Sequence, residues 1–299
     1  MSESELRLGA ARRRAILMIL GAAGAFAAAA AMVKALDGAV PLAQVVLGRN
    51  LFAIPALVPV LLAAGGWRAL RTKYPMGHVW RCMFGLGGMF GAFYGYQHLP
   101  LALVSALGFT MPLFLTLLSV PLLGERVGPR RLGAVLVGFG GVLLMVRPWQ
   151  GEMLGGMPAM AAVVGAALAW ALAMISIRKL GERGESGPSI VLWFAIGSAM
   201  VSGALALPGW VWPTGTQWLL LVGTGLISAL AQVLMTEAYR RGEPSLIAPF
   251  EYSGIVWTTA LGGLLWGELP DGWDFAGIAV LVGAGLYIWH REVRLGLRR

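Results

Sequence analysis

One carboxylate, Glu251, stands inside a long apolar stretch of the chain, residues 245–266. It lies two turns into that stretch, about 10 Å from its start at ~1.5 Å per residue. An ionisable side chain is expensive to place at that depth in lipid, so Glu251 is a candidate for a functional site. It could carry a proton or neutralise a cationic group of a ligand, or it could form a structural ion pair with Arg81. At helical spacing, the residues on its face and shoulder are Gly254, Thr258, Gly262, Tyr252 and Thr259.

Two other apolar stretches carry polar or aromatic side chains at helical spacing. Within residues 216–239, polar types recur every four positions: Thr224, Ser228, Gln232 and Thr236. Within residues 101–123, a similar face holds Ser105, Gly108, Phe109, Pro112, Thr116 and Ser119. Gln232 could donate a hydrogen bond to a ligand, or it could tie two helices together. Phe109 offers an aromatic surface to a ligand, and Pro112 frees a backbone carbonyl and invites a kink.

Five further side chains are candidates for ligand contact, each with a second interpretation. Arg49 could hold a substrate carboxylate, or its long side chain could reach the membrane surface. Trp170 could stack on a planar ligand, or it could fill the space beside small residues on its face. Tyr94 and His98 lie one turn apart and could line an outer mouth, although His98 could also be an ordinary loop residue. Trp193 stands at the edge of an aromatic belt and completes the set of candidates.

The composition shows which kind of protein must position these residues. Hydrophobic types make up 58% of the 299 residues and charged types only 12%, whereas soluble domains carry about 25% charged residues. This excludes a soluble enzyme, a coiled coil and a disordered chain. A membrane helix needs about 20 apolar residues. Ten apolar runs of suitable length are present: 15–33, 42–64, 78–96, 101–123, 131–146, 158–177, 189–206, 216–239, 245–266 and 273–289.

The basic residues orient these ten spans. With the N-terminus in the cytoplasm, nineteen of the 23 Lys and Arg fall in inside segments and two, Lys34 and Arg147, fall outside. This bias is typical of cytoplasmic loops, so it explains the net charge of +9 without a nucleic-acid partner. The first run follows three arginines (12–14) and could be a cleaved signal peptide, but its length favours an uncleaved first span.

The chain also repeats itself at an offset of 143 residues. The offset places Tyr96 on Tyr239, the pair Gly124-Glu125 on Gly267-Glu268, and Phe109 on Tyr252. Each half holds five spans, an odd number, so the second half enters the membrane from the opposite side. Inverted repeats of this kind typify transporters, which bind their substrates near the midplane where the halves meet.

The stretches around the two Gly-Glu pairs carry a family resemblance. LPLALVSALGFTMPLFLTLLSVPLLGERVG and APFEYSGIVWTTALGGLLWGELPDG resemble the EamA pattern of the drug/metabolite transporter superfamily. The resemblance implies an all-α membrane protein with ten transmembrane helices, arranged as two inverted five-helix repeats around a central cavity. Members move amino acids, purines, riboflavin, S-adenosylmethionine and other metabolites. The segment FEYSGIVW is similar to bacterial members linked to riboflavin or S-adenosylmethionine.

These observations predict the following organisation. A cytoplasmic segment (1–14) precedes a first repeat (15–148), a periplasmic linker (149–157), a second repeat (158–290) and a basic cytoplasmic tail (291–299). Both termini are expected in the cytoplasm of a bacterium, with the chain in its inner membrane as a monomer or weak dimer.

The function expected is secondary transport of a small polar or zwitterionic metabolite by alternating access, with or without proton coupling. A lipid flippase and a non-catalytic membrane subunit are the alternatives. No enzyme activity, cofactor or metal is expected, because no Asp lies inside a span and no HExxH motif or Cys/His cluster is present.

Overall fold

The computed structural model describes residues 3–63, 66, 71–124, 128–147, 149, 156–241 and 250–296. Almost all of these residues are helical, and none of them forms a β-strand. The helices are α1 (Glu3–Ala35), α2 (Leu42–Ala63), α3 (Pro75–His98), α4 (Leu101–Gly108), α5 (Met111–Leu123), α6 (Pro129–Val146), α7 (Met157–Glu182), α8 (Gly187–Ala206), α9 (Gly215–Arg241), α10 (Ser253–Trp266) and α11 (Gly272–Gly296). Eight of the ten predicted apolar runs each overlap one helix, residues 101–123 hold both α4 and α5, and the described part of the run 245–266 holds residues 250–251 and α10.

Proline and glycine set many of the helix boundaries. A proline stands in the first turn of α3, α6, α7 and α8, where its missing N–H has no intrahelical partner to lose. At the other end, Gly124 and Gly267 terminate α5 and α10 with the same left-handed φ of +69°. Glycine adopts this conformation without steric cost. The Gly-Glu pairs detected in the sequence are therefore two repeat-related helix caps.

The repeat is visible in the packing. An offset of 143 residues carries α1 onto α7, α2 onto α8, α3 onto α9, α5 onto α10 and α6 onto α11. Helix α1 packs along α9, and the repeat-related helix α7 packs along α3, while α2 packs on its own counterpart α8 and α6 on α11. These reciprocal contacts are what a two-fold axis between inverted halves produces.

The α6–α11 contact shows how closely the last helices of the two halves approach. A Cβ atom on Gly277 would lie 2.6 Å from the carbonyl oxygen of Gly141, and one on Gly141 would lie 2.7 Å from the carbonyl oxygen of Gly277. Small residues let helix backbones meet in this way within a membrane. The two halves thus meet at this edge in close backbone contact, with Met145 of α6 packed beside Gly277.

Among the described residues, seven helical segments are long and apolar enough to cross a membrane by length and composition alone: α1, α2, α4 together with α5, α7, α8, α9 and α11. Helix α6 is a shorter apolar helix. Large apolar side chains cover the outside of the bundle: Leu264, Leu219 and Met200 are more than 70% exposed. A surface of this kind requires lipid around it.

Candidate substrate site

Two repeat-related helix breaks lie in the middle of the bundle. The fourth span is interrupted at Phe109 and Thr110, between α4 and α5. In the second half, Tyr252 interrupts the helix between residues 250–251 and α10. The offset of 143 superimposes Phe109 on Tyr252, so the break is a property of the repeat.

Proline chemistry accounts for the first break. Pro112 has no N–H to donate to the carbonyl of Gly108, its partner in a continuous helix. The backbone forms a tighter turn there. The Phe109 N–H is shared between the carbonyls of Ser105 (3.2 Å) and Ala106 (3.1 Å). The Thr110 hydroxyl donates to the carbonyl of Leu107 at 2.7 Å. Broken helices of this kind expose backbone groups where transporters bind substrates.

The two aromatic residues at the breaks touch each other. The rings of Phe109 and Tyr252 lie 4.8 Å apart between centroids, at an angle of 43°. The hydroxyl of Tyr252 points at Gly285 of α11 and occupies the space that a Cβ atom would take there. The hydroxyl of Tyr252 is therefore packed against α11, while its ring contacts Phe109.

Glu251 stands immediately before this ring pair and is half-buried, and its charge acts on Tyr252. The next residue, Ser253, carries a buried hydroxyl that has no hydrogen-bond partner within the described chain. A carboxylate, an unused hydroxyl and two aromatic rings are therefore assembled at one break. Such a set can hold a cationic or hydrogen-bonding group against a flat apolar surface.

The polar side chains of α9 and α10 fall into two groups, buried hydroxyl groups and half-buried side chains. Thr224 and Ser228 are buried, and the Thr224 hydroxyl donates to the carbonyl of Leu220 at 2.7 Å. Such intrahelical bonds satisfy hydroxyls without a ligand. Gln232 and Thr259, the candidate ligands on these helices, are half-buried.

Trp170 of α7 lies against α3. A Cβ atom on Gly88 would lie 2.5 Å from the indole Nε1, so the indole fills the space that the glycine leaves. Gly91 and Gly95, further along α3, face Ala162 and Val163 of α7 in the same way. The side chain of Trp170 is thus fixed by the contact between the two halves.

The end of the bundle that carries the α3–α4 turn holds a cavity of about 850 Å³, lined by α1, α10 and that turn. His98 lines it and packs against Tyr94, with ring centroids 4.1 Å apart, while its Nδ1 lies 2.8 Å from the Tyr94 carbonyl oxygen. Lys34 crosses this region, pairing with Glu268 at 2.9 Å and donating to the carbonyl of Leu99 at 2.9 Å. The sequence indicated the Tyr94–His98 neighbourhood but gave no signal for the Lys34 contacts.

Trp193 lies at the opposite end, 5.9 Å from the ring of His78. His78 is buried and its Nε2 lies 3.4 Å from Glu185 in the α7–α8 turn. Burial raises the pKa of Glu185, but hydrogen bonds from the Thr72 hydroxyl, His78 and the Lys73 backbone outweigh it and leave the pKa below its usual range. This cluster ties the two halves together at the end of the bundle that carries the α7–α8 turn.

Arg49, in α2, donates from Nη1 to the Asn50 side-chain oxygen at 3.1 Å. Arg81, in α3, lies over the ring of Phe194 at 4.0 Å. The sequence offered Arg81 as a structural partner for Glu251; the contact that the structure shows for Arg81 is the one with the ring of Phe194. Within the described ranges, no three His, Cys, Asp or Glu side chains are grouped as a metal site.

Of the ten predicted contact residues, Phe109 and Tyr252 touch through their rings, and Glu251 directly precedes Tyr252 in the chain. Tyr94 and His98 lie together beside the cavity, Trp193 lies beside His78, and Trp170 lies between α3 and α7.

Comparison with known proteins identifies the family. The EamA-like transporter family matches the chain twice, at residues 13–147 and 157–289. A riboflavin transporter of Vibrio cholerae is 30% identical over 94% of this chain and 94% of its own length. A pseudopaline exporter of Pseudomonas aeruginosa is 31% identical over 90% of this chain and 93% of its own. Neither relative is described as an enzyme or a lipid flippase.

A crystal structure of a protein 23% identical in sequence shares the fold, with a TM-score of 0.63 over 90% of this chain and 94% of the other. The helical bundle, the doubled sequence match and the relatives agree. The chain belongs to the EamA-like transporter family, and it is a membrane transporter of small metabolites rather than an enzyme.

Proposed function

We propose that the chain is a secondary carrier that moves a small polar or zwitterionic metabolite by alternating access. The observation that carries this proposal is the pair of repeat-related breaks, which places Phe109 against Tyr252 with Glu251 beside them. A discontinuous helix pair at the interface of inverted repeats is the arrangement in which many carriers bind substrate. The two halves can then rock about this point and open it to either side.

In this proposal Glu251 holds a cationic group of the substrate or exchanges a proton for it. The Phe109 and Tyr252 rings cover an apolar or planar part, and Gln232 and Thr259 supply neutral hydrogen bonds. Trp170 and Arg49 line the central space further from the breaks. Tyr94 and His98 line the outer mouth, and Trp193 lines the inner one.

The topology proposed is that of a bacterial inner-membrane protein with both termini in the cytoplasm. It rests on the distribution of Lys and Arg over the loops. Single cysteines at Ala39 and Arg71, both exposed, test it in a Cys82→Ser background. A membrane-impermeant maleimide added to intact cells should label position 39 and leave position 71 unlabelled, and the reverse pattern would overturn the topology.

The transport proposal is tested with purified protein. A metabolite screen for thermal stabilisation should include riboflavin and S-adenosylmethionine, because the relatives and the resemblance point to such molecules. Metabolites that stabilise the protein are then tested for uptake into proteoliposomes. Saturable uptake without ATP is expected, whereas uptake that strictly requires added ATP would rule out a secondary carrier.

A further inference from the structure

The ammonium group of Lys34 lies among three groups that each bind cations. Its Nζ atom contacts the Glu268 carboxylate at 2.9 Å and donates to the carbonyl of Leu99 at 2.9 Å. It also lies over the ring of Trp266, 5.5 Å from the ring centroid. A carboxylate, a carbonyl oxygen and an aromatic face all attract an ammonium group. The residues Leu99, Trp266 and Glu268 are called the ammonium cage below.

The cage is formed where three helices end side by side. Lys34 is in the last turn of α1, Leu99 caps α3, and Trp266 is the last residue of α10. Glu268 follows the left-handed cap of α10. Since one nitrogen atom contacts groups from both other ends, the cage is a single site in space.

The cap of α10 holds the Glu268 carboxylate in position. The Glu268 N–H donates to the carbonyl of Gly262 at 3.1 Å, which ties the residue to the last turn of the helix. Its Oε1 atom accepts from Lys34, whereas its Oε2 atom is buried and has no hydrogen-bond partner within the described chain. The tethered ammonium group of Lys34 therefore leaves part of the carboxylate unused.

The cage lines the cavity of about 850 Å³ described above, as does Lys34. This volume is in the range of small-molecule sites. Asp37, an exposed residue, also lines the cavity. With a neutral His98, the lining carries two carboxylates and one ammonium group. A molecule that enters the cavity can thus reach the cage, and the charge of the lining favours a cation.

The internal repeat accounts for Glu268 but not for the other charged and aromatic parts of this site. The offset of 143 residues places Ile177 on Lys34 and Leu123 on Trp266. The equivalent positions therefore hold aliphatic side chains. The cation and the ring are additions to the repeat-related cap, made only where the cavity lies.

We propose that the ammonium cage binds a primary ammonium group of a small organic molecule, which enters the cavity and takes the place of the Lys34 Nζ atom. Lys34 is a tethered substitute for that ligand. The entering group donates to Glu268 and to the Leu99 carbonyl and lies over Trp266, but it is not attached to α1. The exchange therefore releases α1 from the α3–α4 turn and from α10, which couples binding to opening at this end.

The link to transport rests on the function proposed above. In that function Glu251 receives a cationic group of the substrate at the helix breaks. The cage holds the same group earlier, when the molecule has entered the cavity but has not reached the breaks. The binding site itself does not depend on this link, so the two are tested separately.

The cage is tested by chemical complementation of purified protein in detergent. Lys34→Ala removes the propylammonium part of the side chain and leaves the cage empty. Propylammonium chloride is titrated against sodium chloride at equal ionic strength and pH while the melting temperature is followed. Lys34→Ala should show a saturable rise, with a half-saturation concentration at least tenfold below that of the wild type, because the tethered lysine no longer competes.

Two controls make the response specific. The double variant Lys34→Ala/Glu268→Gln removes the carboxylate of the cage and should lose the saturable rise. Arg147→Ala removes the cation of another ion pair, with Asp271 and Asp274, which does not line the cavity. It should show no saturable rise over the same range of concentration.

A second measurement keeps Lys34 in place. In a Cys82→Ser background with Gln97→Cys, a membrane-impermeant maleimide labels a residue that lines the cavity. Propylammonium chloride should increase the labelling rate over that in sodium chloride of equal ionic strength, because the exchange frees the end of α1. This measurement decides the question if Lys34→Ala does not fold.

The proposal is overturned if propylammonium stabilises Lys34→Ala no more than sodium chloride does, or if either control responds as Lys34→Ala does. Where Lys34→Ala does not fold, an unchanged labelling rate at position 97 overturns it. Uptake into proteoliposomes is scored separately. Uptake of a metabolite without any response to propylammonium removes the cage site and keeps the carrier, whereas a specific response without uptake of any screened metabolite does the reverse.

Discussion

The contact between Lys34 and Glu268 is expected to control access from the outer side. Lys34 lies in the last turn of α1, and its Nζ atom reaches the Glu268 carboxylate at 2.9 Å and the carbonyl of Leu99 at 2.9 Å. These contacts connect three segments from both halves at the end of the bundle that is expected to face outward. The perturbation is Lys34→Gln, which removes the charge and keeps most of the side chain's length.

The expected effect of Lys34→Gln depends on how deeply the Lys34–Glu268 pair is buried. The two side chains are 11% and 29% exposed, so the pair is neither free in water nor fully desolvated. A charge-assisted hydrogen bond contributes ~1.5–3 kcal/mol, and partial exposure of Glu268 favours the lower part of that range. A loss of about 2 kcal/mol from the outer-closed state corresponds to ~30-fold in the equilibrium between closed and open states.

The assay is the labelling rate of a cysteine at Gln97, whose Nε2 is buried and which lines the outer cavity. In a Cys82→Ser background, a membrane-impermeant maleimide should react up to ~30-fold faster when Lys34→Gln is present. Arg147→Gln is the matched control, because it breaks another outer ion pair that does not line this cavity. An unchanged rate with Lys34→Gln, or an equal increase with Arg147→Gln, would refute the reasoning.

Three further results are expected. Burial raises the pKa of Asp271, but hydrogen bonds from the Asp274 backbone and Arg147 outweigh it and leave the pKa below its usual range. The contribution of the pair is therefore present above the usual pKa of Asp and lost as the pH falls through the lowered pKa. Arg147→Gln should lower the melting temperature at pH 7, with a loss of about 1 kcal/mol of stability. The difference from the wild type should shrink steadily as the pH falls below about 4, the usual pKa of Asp; an equal loss at every pH would contradict this. Gly277→Ala should destabilise by roughly 1–3 kcal/mol in chemical unfolding, because the Cβ atom meets Gly141, while Gly283→Ala, with open space around it, should not. Pro112→Ala restores a donor for the Gly108 carbonyl, so it should slow uptake without lowering the melting temperature; full uptake would show that the break is dispensable.

The sequence predicted the helices and their repeat well, because both depend on local or periodic signals. Apolar length and basic flanks mark each span, and an offset of 143 places Gly124 on Gly267, which the structure shows as equivalent helix caps. The helix break at Tyr252 could not be predicted from such local signals. Pro112 signals the break at Phe109, but the equivalent position in the second half is Ile255, and the interruption at Tyr252 depends on tertiary packing.

The sequence also could not predict which side chains distant in the chain pair with each other. Lys34 was visible only as one of two outside cations, and its partner Glu268 lies more than two hundred residues away in the chain. Arg81 was offered as a partner for Glu251, whereas the structure places its guanidinium over the ring of Phe194. A single sequence fixes which face of a helix a residue occupies, but the neighbour across that face depends on how the helices cross.

The central claim is that substrate binds at the helix breaks beside Glu251, and one comparison tests it most directly. Uptake of a stabilising metabolite into proteoliposomes is measured for the wild type and for Glu251→Gln, alongside the melting temperature of each protein. The variant preserves the size of the side chain, so its melting temperature should stay near that of the wild type. Uptake should fall at least tenfold, about 1.4 kcal/mol or more in free energy. Unchanged uptake by a stable Glu251→Gln protein would contradict the claim.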